Sequence, residues 1–329
     1  MSVSNALRVS IVGAGAIGCT LAARIANSGQ PVSMLARGKT LEVIRSAGVT
    51  LFDLEGECQA TVRAESDCAA LGIQDVIFIC TKATALSGLL PELSPLVGPE
   101  TIVVPVVNGV PWWYFHGVSG RHAGRRIEAV NPDGNLSACL NLDQILGCVI
   151  FITAHTESPG VVRSNNKHLM ILGEPNNQLS ERLELVRTLI ERSGIEARAS
   201  ETIRDALWTK ILANLTSNPL SVITGASLEQ IYSQPELKTI VSKVFNEALV
   251  IAGAYGARIA FDPQTFMTLW AGMGNVRTSM LQDHDAGRPL ELAAIGDAVV
   301  ELAALQGIDM PVTKDILALA RIRALNTSH

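Results

Sequence analysis

The stretch Leu7-Arg8-Val9-Ser10-Ile11-Val12-Gly13-Ala14-Gly15-Ala16-Ile17-Gly18-Cys19-Thr20-Leu21-Ala22-Ala23-Arg24-Ile25-Ala26-Asn27-Ser28-Gly29 decides the fold class. Leu7 to Val12 reads as a strand, and Cys19 to Ser28 as a helix stopped by Gly29. Between them, Gly13, Ala14, Gly15, Ala16, Ile17 and Gly18 spell G-x-G-x-x-G in the setting it needs, with strand before and helix after. Gly13 permits the tight turn, Gly15 lets a pyrophosphate approach the backbone, and Gly18 lets helix and strand pack closely. The helix start offers its N–H groups and positive dipole end to phosphates. The reading is a Rossmann-type α/β domain that binds a dinucleotide.

Working outward, the second strand is Pro31 to Arg37. An NAD-binding domain places an acid near its end to bond the ribose hydroxyls; here the chain offers Ala36, Arg37, Gly38 and Lys39. A planar cation suits a 2′-phosphate, so Arg37 points to NADPH over NADH, with a solvated loop arginine as the alternative. Asp75 to Cys80 is an apolar run typical of a buried parallel strand. It ends at Thr81-Lys82, which makes Lys82 a second candidate phosphate contact, although a lysine after a strand is commonplace. A further strand, Thr101 to Val107, ends at Asn108-Gly109. Asn108 is a candidate contact for nicotinamide or substrate, and Asn-Gly is also an ordinary turn pair. Trp112-Trp113-Tyr114-Phe115 follows in a chain with only 4% aromatic residues, either walling an active-site mouth or packing beneath a loop. Strands from Ile127 to Leu172 and a helix over Leu179–Arg192 are expected to complete a sheet of six or more strands. The boundary is placed near Ala199-Ser200, giving domains 1–199 and 200–329.

The second domain is read as all helical. Its first helix, from Ile203, has an apolar row of Ile203, Leu207, Ile211 and Leu215. A second four-residue row, Ala206, Lys210, Asn214 and Asn218, lies on another face. Pro219 is expected to bend or end the helix there. One ammonium and two carboxamides in a line suit a small, oxygen-rich ligand; a polar surface face is the alternative. Later helices are read over Val241–Tyr255, Phe266–Met280, and from Leu290 or Glu291 to Gln306. Glu291 in a first turn is explained by the helix dipole alone, and Ser279 is unremarked by itself.

Composition agrees with two globular domains: 329 residues, 48% hydrophobic, 17% charged, net charge −5. That charge argues against a nucleic-acid or anionic-membrane binder. The N-terminus runs straight into a strand and no apolar run is long enough to span a bilayer, so a cytoplasmic protein is expected. The six cysteines are scattered without a CxxC pair and the six histidines lack ligand spacing, so no metal is expected.

Together these pieces resemble the ketopantoate reductases (2-dehydropantoate 2-reductases), within the 6-phosphogluconate-dehydrogenase-like group. The resemblance rests on Gly13-x-Gly15-x-x-Gly18, Arg37, Thr81-Lys82-Ala83, Asn108-Gly109, Leu207-Trp208-x-Lys210-x-x-x-Asn214-x-x-x-Asn218-Pro219-Leu220, and Ser279-Met280-Leu281-Gln282-Asp283 with Glu291 beyond. It implies an NADPH-dependent reduction of 2-dehydropantoate to pantoate, toward pantothenate. The glycine loop (Gly13 to Gly18) would hold the pyrophosphate, and Arg37 and Lys82 the adenosine end. Asn108 would lie by nicotinamide and substrate, and Lys210 would be the general acid. Asn214, Asn218 and Ser279 would bind the substrate, and Glu291 would assist near Lys210, the substrate hydroxyl and the cofactor. A homodimer is compatible with the resemblance. The chain departs from the family pattern at Gly225-Ala226-Ser227-Leu228-Glu229, where an Asn-Gly is common, at Leu290-Glu291-Leu292, and in the aromatic run. A reductase of another 2-oxo acid therefore stays open, as does a non-catalytic NADPH-binding sensor. Burial would lower the Lys210 pKa and Glu291 nearby would raise it, so the sign of its shift is open.

Overall fold

The computed structural model describes residues 6–259 and 261–326. In chain order the first part holds β1 (Val9–Val12), α1 (Ala16–Asn27), β2 (Val32–Leu35), α2 (Gly38–Ala47), β3 (Val49–Asp53), β4 (Gly56–Ala60), β5 (Arg63–Glu65), β6 (Gln74–Ile79), α3 (Leu86–Leu89) and β7 (Val97–Pro105). It continues with α4 (Asn135–Cys139), β8 (Gly147–Phe151), β9 (Ala154–Ser158), β10 (Val161–Ser164), β11 (Leu169–Gly173), α5 (Glu181–Arg192) and β12 (Glu196–Ala199). The helical part comprises α6 (Ile203–Thr224), α7 (Leu228–Ser233), α8 (Pro235–Ala254), α9 (Pro263–Ala271), α10 (Ser279–Asp285), a π-helical turn at Ala293–Asp297, α11 (Ala298–Leu305) and α12 (Pro311–Leu325).

The chain forms two compact units. The first comprises Met1–Val107, Phe115–Gly124 and Asn135–Ile203; the second comprises Asn108–Tyr114, Arg125–Gly134 and Arg204–His329. Two short excursions, one of them beginning at Asn108, thus group with the helical unit, which a single cut near Ala199-Ser200 does not display.

The first unit is built on a five-stranded parallel sheet in the order β5-β2-β1-β6-β7. Ile11, Met34, Phe78 and Val104 of its strands are fully buried, as near-continuous apolar strands in a parallel sheet must be. Chain order reverses at β1, so the loop after β1 lies at the switch point where ligands bind in open α/β sheets. Because the strands are parallel, the glycine loop after β1, Arg37 after β2 and Thr81-Lys82 after β6 all leave the same edge.

The single sheet of six or more strands is not what forms. The remaining strands make a four-stranded sheet, β4-β3-β10-β9, and a three-stranded sheet, β12-β11-β8. An isolated parallel bridge from Val103 to Ile145 links β7 to the approach to β8. The ribbon β3–β4 turns away because β3 takes β10 as its other neighbour, in parallel. Arg24 of α1 anchors its turn through Nε to Asp53 (2.9 Å) and an ion pair with Glu55.

In the second unit, Val222, Met280, Leu292, Ile295, Leu317 and Ala320 form an apolar cluster. The helix expected over Phe266–Met280 is two helices, α9 and α10, separated by Gly272 to Thr278, with Gly274 at φ +75°. An L side chain rarely adopts that conformation, and a helix does not pass through it. Among the described residues, no helix is long and apolar enough to cross a membrane.

Candidate active site

In the first unit the three glycines can be tested separately by what a Cβ would meet. Gly13 sits at φ +106°, and its Cβ would lie 2.8 Å from the Thr81 methyl, so the loop and the end of β6 touch. At Gly18 a Cβ would lie 1.9 Å from the Gly13 carbonyl oxygen, which only glycine allows. At Gly15, by contrast, no atom of the described residues would lie within 4 Å. Gly15 is the N-cap of α1, with no side chain capping the helix and no acid in its first turn. The N–H groups of Ala16, Ile17 and Gly18 therefore start a helix on an open backbone face, which fits a pyrophosphate. Beside this loop, the Thr81 hydroxyl oxygen is buried without a hydrogen-bond partner among the described residues.

Arg37 occupies the N-cap position of α2, and its side chain is 64% exposed. Its guanidinium forms an ion pair with Glu92, an acid that the sequence reading did not single out. Lys82 is half-buried, directly after Thr81.

In the second unit, Lys210, Asn214 and Asn218 rise along one face of α6 at four-residue spacing. Lys210 and Asn214 are half-buried, and Asn218 is 3% exposed. The Nδ2 atoms of both Asn214 and Asn218 are buried and donate to no partner among the described residues. An unpaired buried donor costs about 1–3 kcal/mol. Two in succession on one helix face form the donor set that an oxygen-rich ligand satisfies. Burial lowers the Lys210 ammonium pKa from 10.5 to about 8. That settles the sign left open by the sequence, and it leaves an amine that still carries its proton at neutral pH yet releases it readily.

Pro219 does not end α6, which runs on to Thr224. The proline removes one helical hydrogen bond and crowds the carbonyl four residues back. Leu215, Leu220 and Val222 around it are buried, and that packing carries the helix through. Ser221 Oγ donates to the Asn218 carbonyl (2.7 Å) and shares a hydrogen bond of 2.6 Å with Thr278 Oγ1. Thr278 is the N-cap of α10, with its hydroxyl accepting from Leu281 N (3.1 Å). Ser279, exposed at the first position of α10, is in this way fixed beside the Asn218 end of α6. Ser221 and Thr278, which sequence reasoning missed, tie the start of α10 to α6; the Thr-Ser pair at the helix start was their one visible signal.

Glu291 is 4% exposed and stands just ahead of the π-helical turn. Its carbonyl accepts from Ile295 N (3.0 Å). The segment that carries Asn108 lies against this turn. Val110 N donates to the Ala294 carbonyl (2.8 Å), and a Cβ on Gly109, which sits at φ +83°, would lie 2.4 Å from that same oxygen. Asn108 and Glu291 are thereby brought to neighbouring backbone, while Lys210, Asn214, Asn218 and Ser279 are gathered around α6. The aromatic run is core: Trp112, Trp113, Tyr114 and Phe115 are all buried.

Two family models cover most of the chain: "Ketopantoate reductase PanE/ApbA" over residues 9–177 and "Ketopantoate reductase PanE/ApbA C terminal" over residues 202–324. The chain belongs to the ketopantoate reductase family. A 2-dehydropantoate 2-reductase of Mesorhizobium japonicum is 36% identical over 316 residues, covering 96% of this chain and 97% of the relative. The structure of a Ralstonia solanacearum MolK2 protein assigned as a ketopantoate reductase superposes with a TM-score of 0.92 at 38% identity, covering 98% of both chains. That of the 2-dehydropantoate 2-reductase of Geobacter metallireducens GS-15 gives 0.84 at 25% identity, covering 96% of this chain and 99% of that one. The chain is thus a dinucleotide-binding oxidoreductase by family. The stretch Gly225 to Glu229, where the sequence departs from the family pattern, holds a helix cap. Ser227 caps α7, accepting from Gln230 N (3.4 Å), while the Gln230 side chain accepts from Ser227 N (2.9 Å).

Proposed function

We propose that the protein reduces 2-dehydropantoate to pantoate with NADPH. The observation that carries this reading is the row on α6, in which a lysine of lowered pKa is followed by two buried carboxamides with unpaired Nδ2 donors. Gly13, Ala14, Gly15, Ala16, Ile17 and Gly18 would hold the cofactor's pyrophosphate, with Arg37 and Lys82 at its adenosine end. When bound, the cofactor supplies the hydride that reduces the substrate's ketone carbon. Lys210 stabilises the negative charge that develops on the carbonyl oxygen and gives it a proton. Asn214, Asn218 and Ser279 orient the substrate through its carboxylate and hydroxyl oxygens. Asn108 serves the nicotinamide side, and Glu291 holds the substrate hydroxyl and the neighbouring ribose.

Support for NADPH over NADH comes from Arg37, since no acid stands at the end of β2. A second reading, reduction of a different 2-oxo acid, draws support from the Ser227-capped turn, where the chain leaves the family's usual sequence.

The test is the loss of reduced-nicotinamide absorbance with 2-dehydropantoate and a panel of other 2-oxo acids, each with NADPH and NADH. Fastest turnover of 2-dehydropantoate with NADPH is expected. Preference for another 2-oxo acid would overturn the substrate and leave the reductase. NADPH binding with no turnover of any carbonyl would mark a sensor.

A further inference from the structure

The segment Asn108–Tyr114 is held at both ends by the elements that carry the proposed acid and its partner. At its start, Val110 N donates to the Ala294 carbonyl, three residues beyond Glu291. At its end, Tyr114 is gripped by α6. Trp208 Nε1 donates to Tyr114 Oη (2.8 Å), and Arg204 donates to the Tyr114 carbonyl through Nε (2.9 Å) and Nη2 (2.7 Å). Trp208 is two residues from Lys210 on the same helix. Tyr255 closes the cluster, with its ring edge-on to Tyr114 at 5.9 Å and stacked with Trp208 at 6.5 Å. Its hydroxyl donates to the Leu302 carbonyl of α11 (2.9 Å), the helix that continues from the π-helical turn. Tyr114 and Trp208 are both fully buried.

A buried indole–phenol hydrogen bond is directional, and rings packed at right angles resist sliding. The segment between the two anchors is Asn108-Gly109-Val110-Pro111-Trp112-Trp113-Tyr114, stiffened by Pro111. We propose that Tyr114 and Trp208 are positioning residues: through their contact, the segment works as a strap that fixes the placement of Asn108 and of the Glu291 turn relative to Lys210. The inference rests on the roles given to these three residues above. Neither ring, both being fully buried, is placed to touch substrate or cofactor. They act by holding reacting groups within the narrow tolerance that proton transfer demands, where a displacement of about 1 Å costs on the order of a hundredfold in rate.

The experiment compares Tyr114→Phe, Trp208→Phe and the double variant, with Lys210→Ala alongside, on the 2-oxo acid turned over best. Rates are counted per cofactor-binding site, so that a smaller folded fraction does not register as a slower enzyme. Each single variant is expected to lower kcat about tenfold or more, while KM stays within about threefold and NADPH Kd within about twofold. The double variant should be no slower than the worse single, because both substitutions break one contact. Wild-type kcat in both singles would overturn the proposal, and so would a double variant whose loss is the product of the two. Full activity in Lys210→Ala would remove the reading of the site and the inference with it. Lost activity there, with both singles unaffected, would remove the inference alone.

Discussion

Lys210 shows how one side chain carries a cost in the fold for its proposed use in chemistry. Burial lowers its pKa from 10.5 to about 8. A native pKa below the unfolded one means that the unfolded chain holds the proton more tightly. Below pH 8 both states are charged, and the native state bears the full desolvation penalty, on the order of 3 kcal/mol from the size of the shift. Between pH 8 and 10.5 the native lysine is neutral while the unfolded one is still charged, so the penalty fades as pH rises. Lys210→Met should therefore stabilise the protein by about 1–3 kcal/mol at pH 7 and by little above pH 10.5, read from urea unfolding at the two pH values. The same variant should lose at least about a hundredfold in kcat, and the wild-type rate of carbonyl reduction should fall as pH rises through 8, where the donor loses its proton. Equal stabilities at pH 7, or a rate indifferent to pH in that range, would detach the burial of this lysine from its role.

At the scale of elements, the β1–loop–α1 unit separates two kinds of glycine that a motif treats alike. A Cβ at Gly18 would meet the Gly13 carbonyl oxygen at 1.9 Å, whereas one at Gly15 would meet none of the described residues within 4 Å. Gly18→Ala should cost about 1–3 kcal/mol of stability, since backbone must move to admit the methyl. Gly15→Ala should leave the urea midpoint nearly unchanged and weaken dinucleotide binding tenfold or more in a fluorescence titration; tight binding by that variant would mean that the pyrophosphate does not approach there. This loop was legible in sequence because its constraints are local: strand, turn, cap and helix fall within twenty residues. The four-residue row on α6 was legible for the same reason. What stayed hidden was set by partners distant in the chain. The strands from β8 to β11 carry no mark of which sheet they join. The passage of α6 through Pro219 depends on packing around Leu215 and Leu220, and the split between α9 and α10 on one glycine in a left-handed conformation. Nor does any local pattern pair Tyr114 with Trp208, ninety-four positions apart.

For the molecule as a whole, the cofactor poses an electrostatic problem. A chain of net charge −5 must bind a polyanion, so the attraction has to come from a few local cations and from helix N–H groups. Arg37 is the cation best placed by sequence for a 2′-phosphate, but it is not idle, because Glu92 holds it in an ion pair. Both side chains are largely exposed, and such a pair contributes little to stability, about 0–1 kcal/mol. A phosphate, which accepts bidentate hydrogen bonds from a guanidinium, can displace that carboxylate at small cost. NADH lacks the 2′-phosphate and gains nothing from the exchange. Any ligand that binds only the folded state stabilises it by RT ln(1 + [L]/Kd), about 2.7 kcal/mol at a hundred times Kd. At equal concentrations NADPH should therefore raise the melting temperature more than NADH does. Arg37→Ala should bring the NADPH shift down toward the NADH shift, with a ten- to hundredfold loss in NADPH affinity and the melting temperature of the unliganded protein nearly unchanged. Glu92→Gln, which frees Arg37 without removing it, should move the NADPH shift the other way. If NADH stabilises the wild-type chain as much as NADPH does, Arg37 is a solvated loop residue and the cofactor assignment falls, while the glycine loop and the α6 row keep their roles.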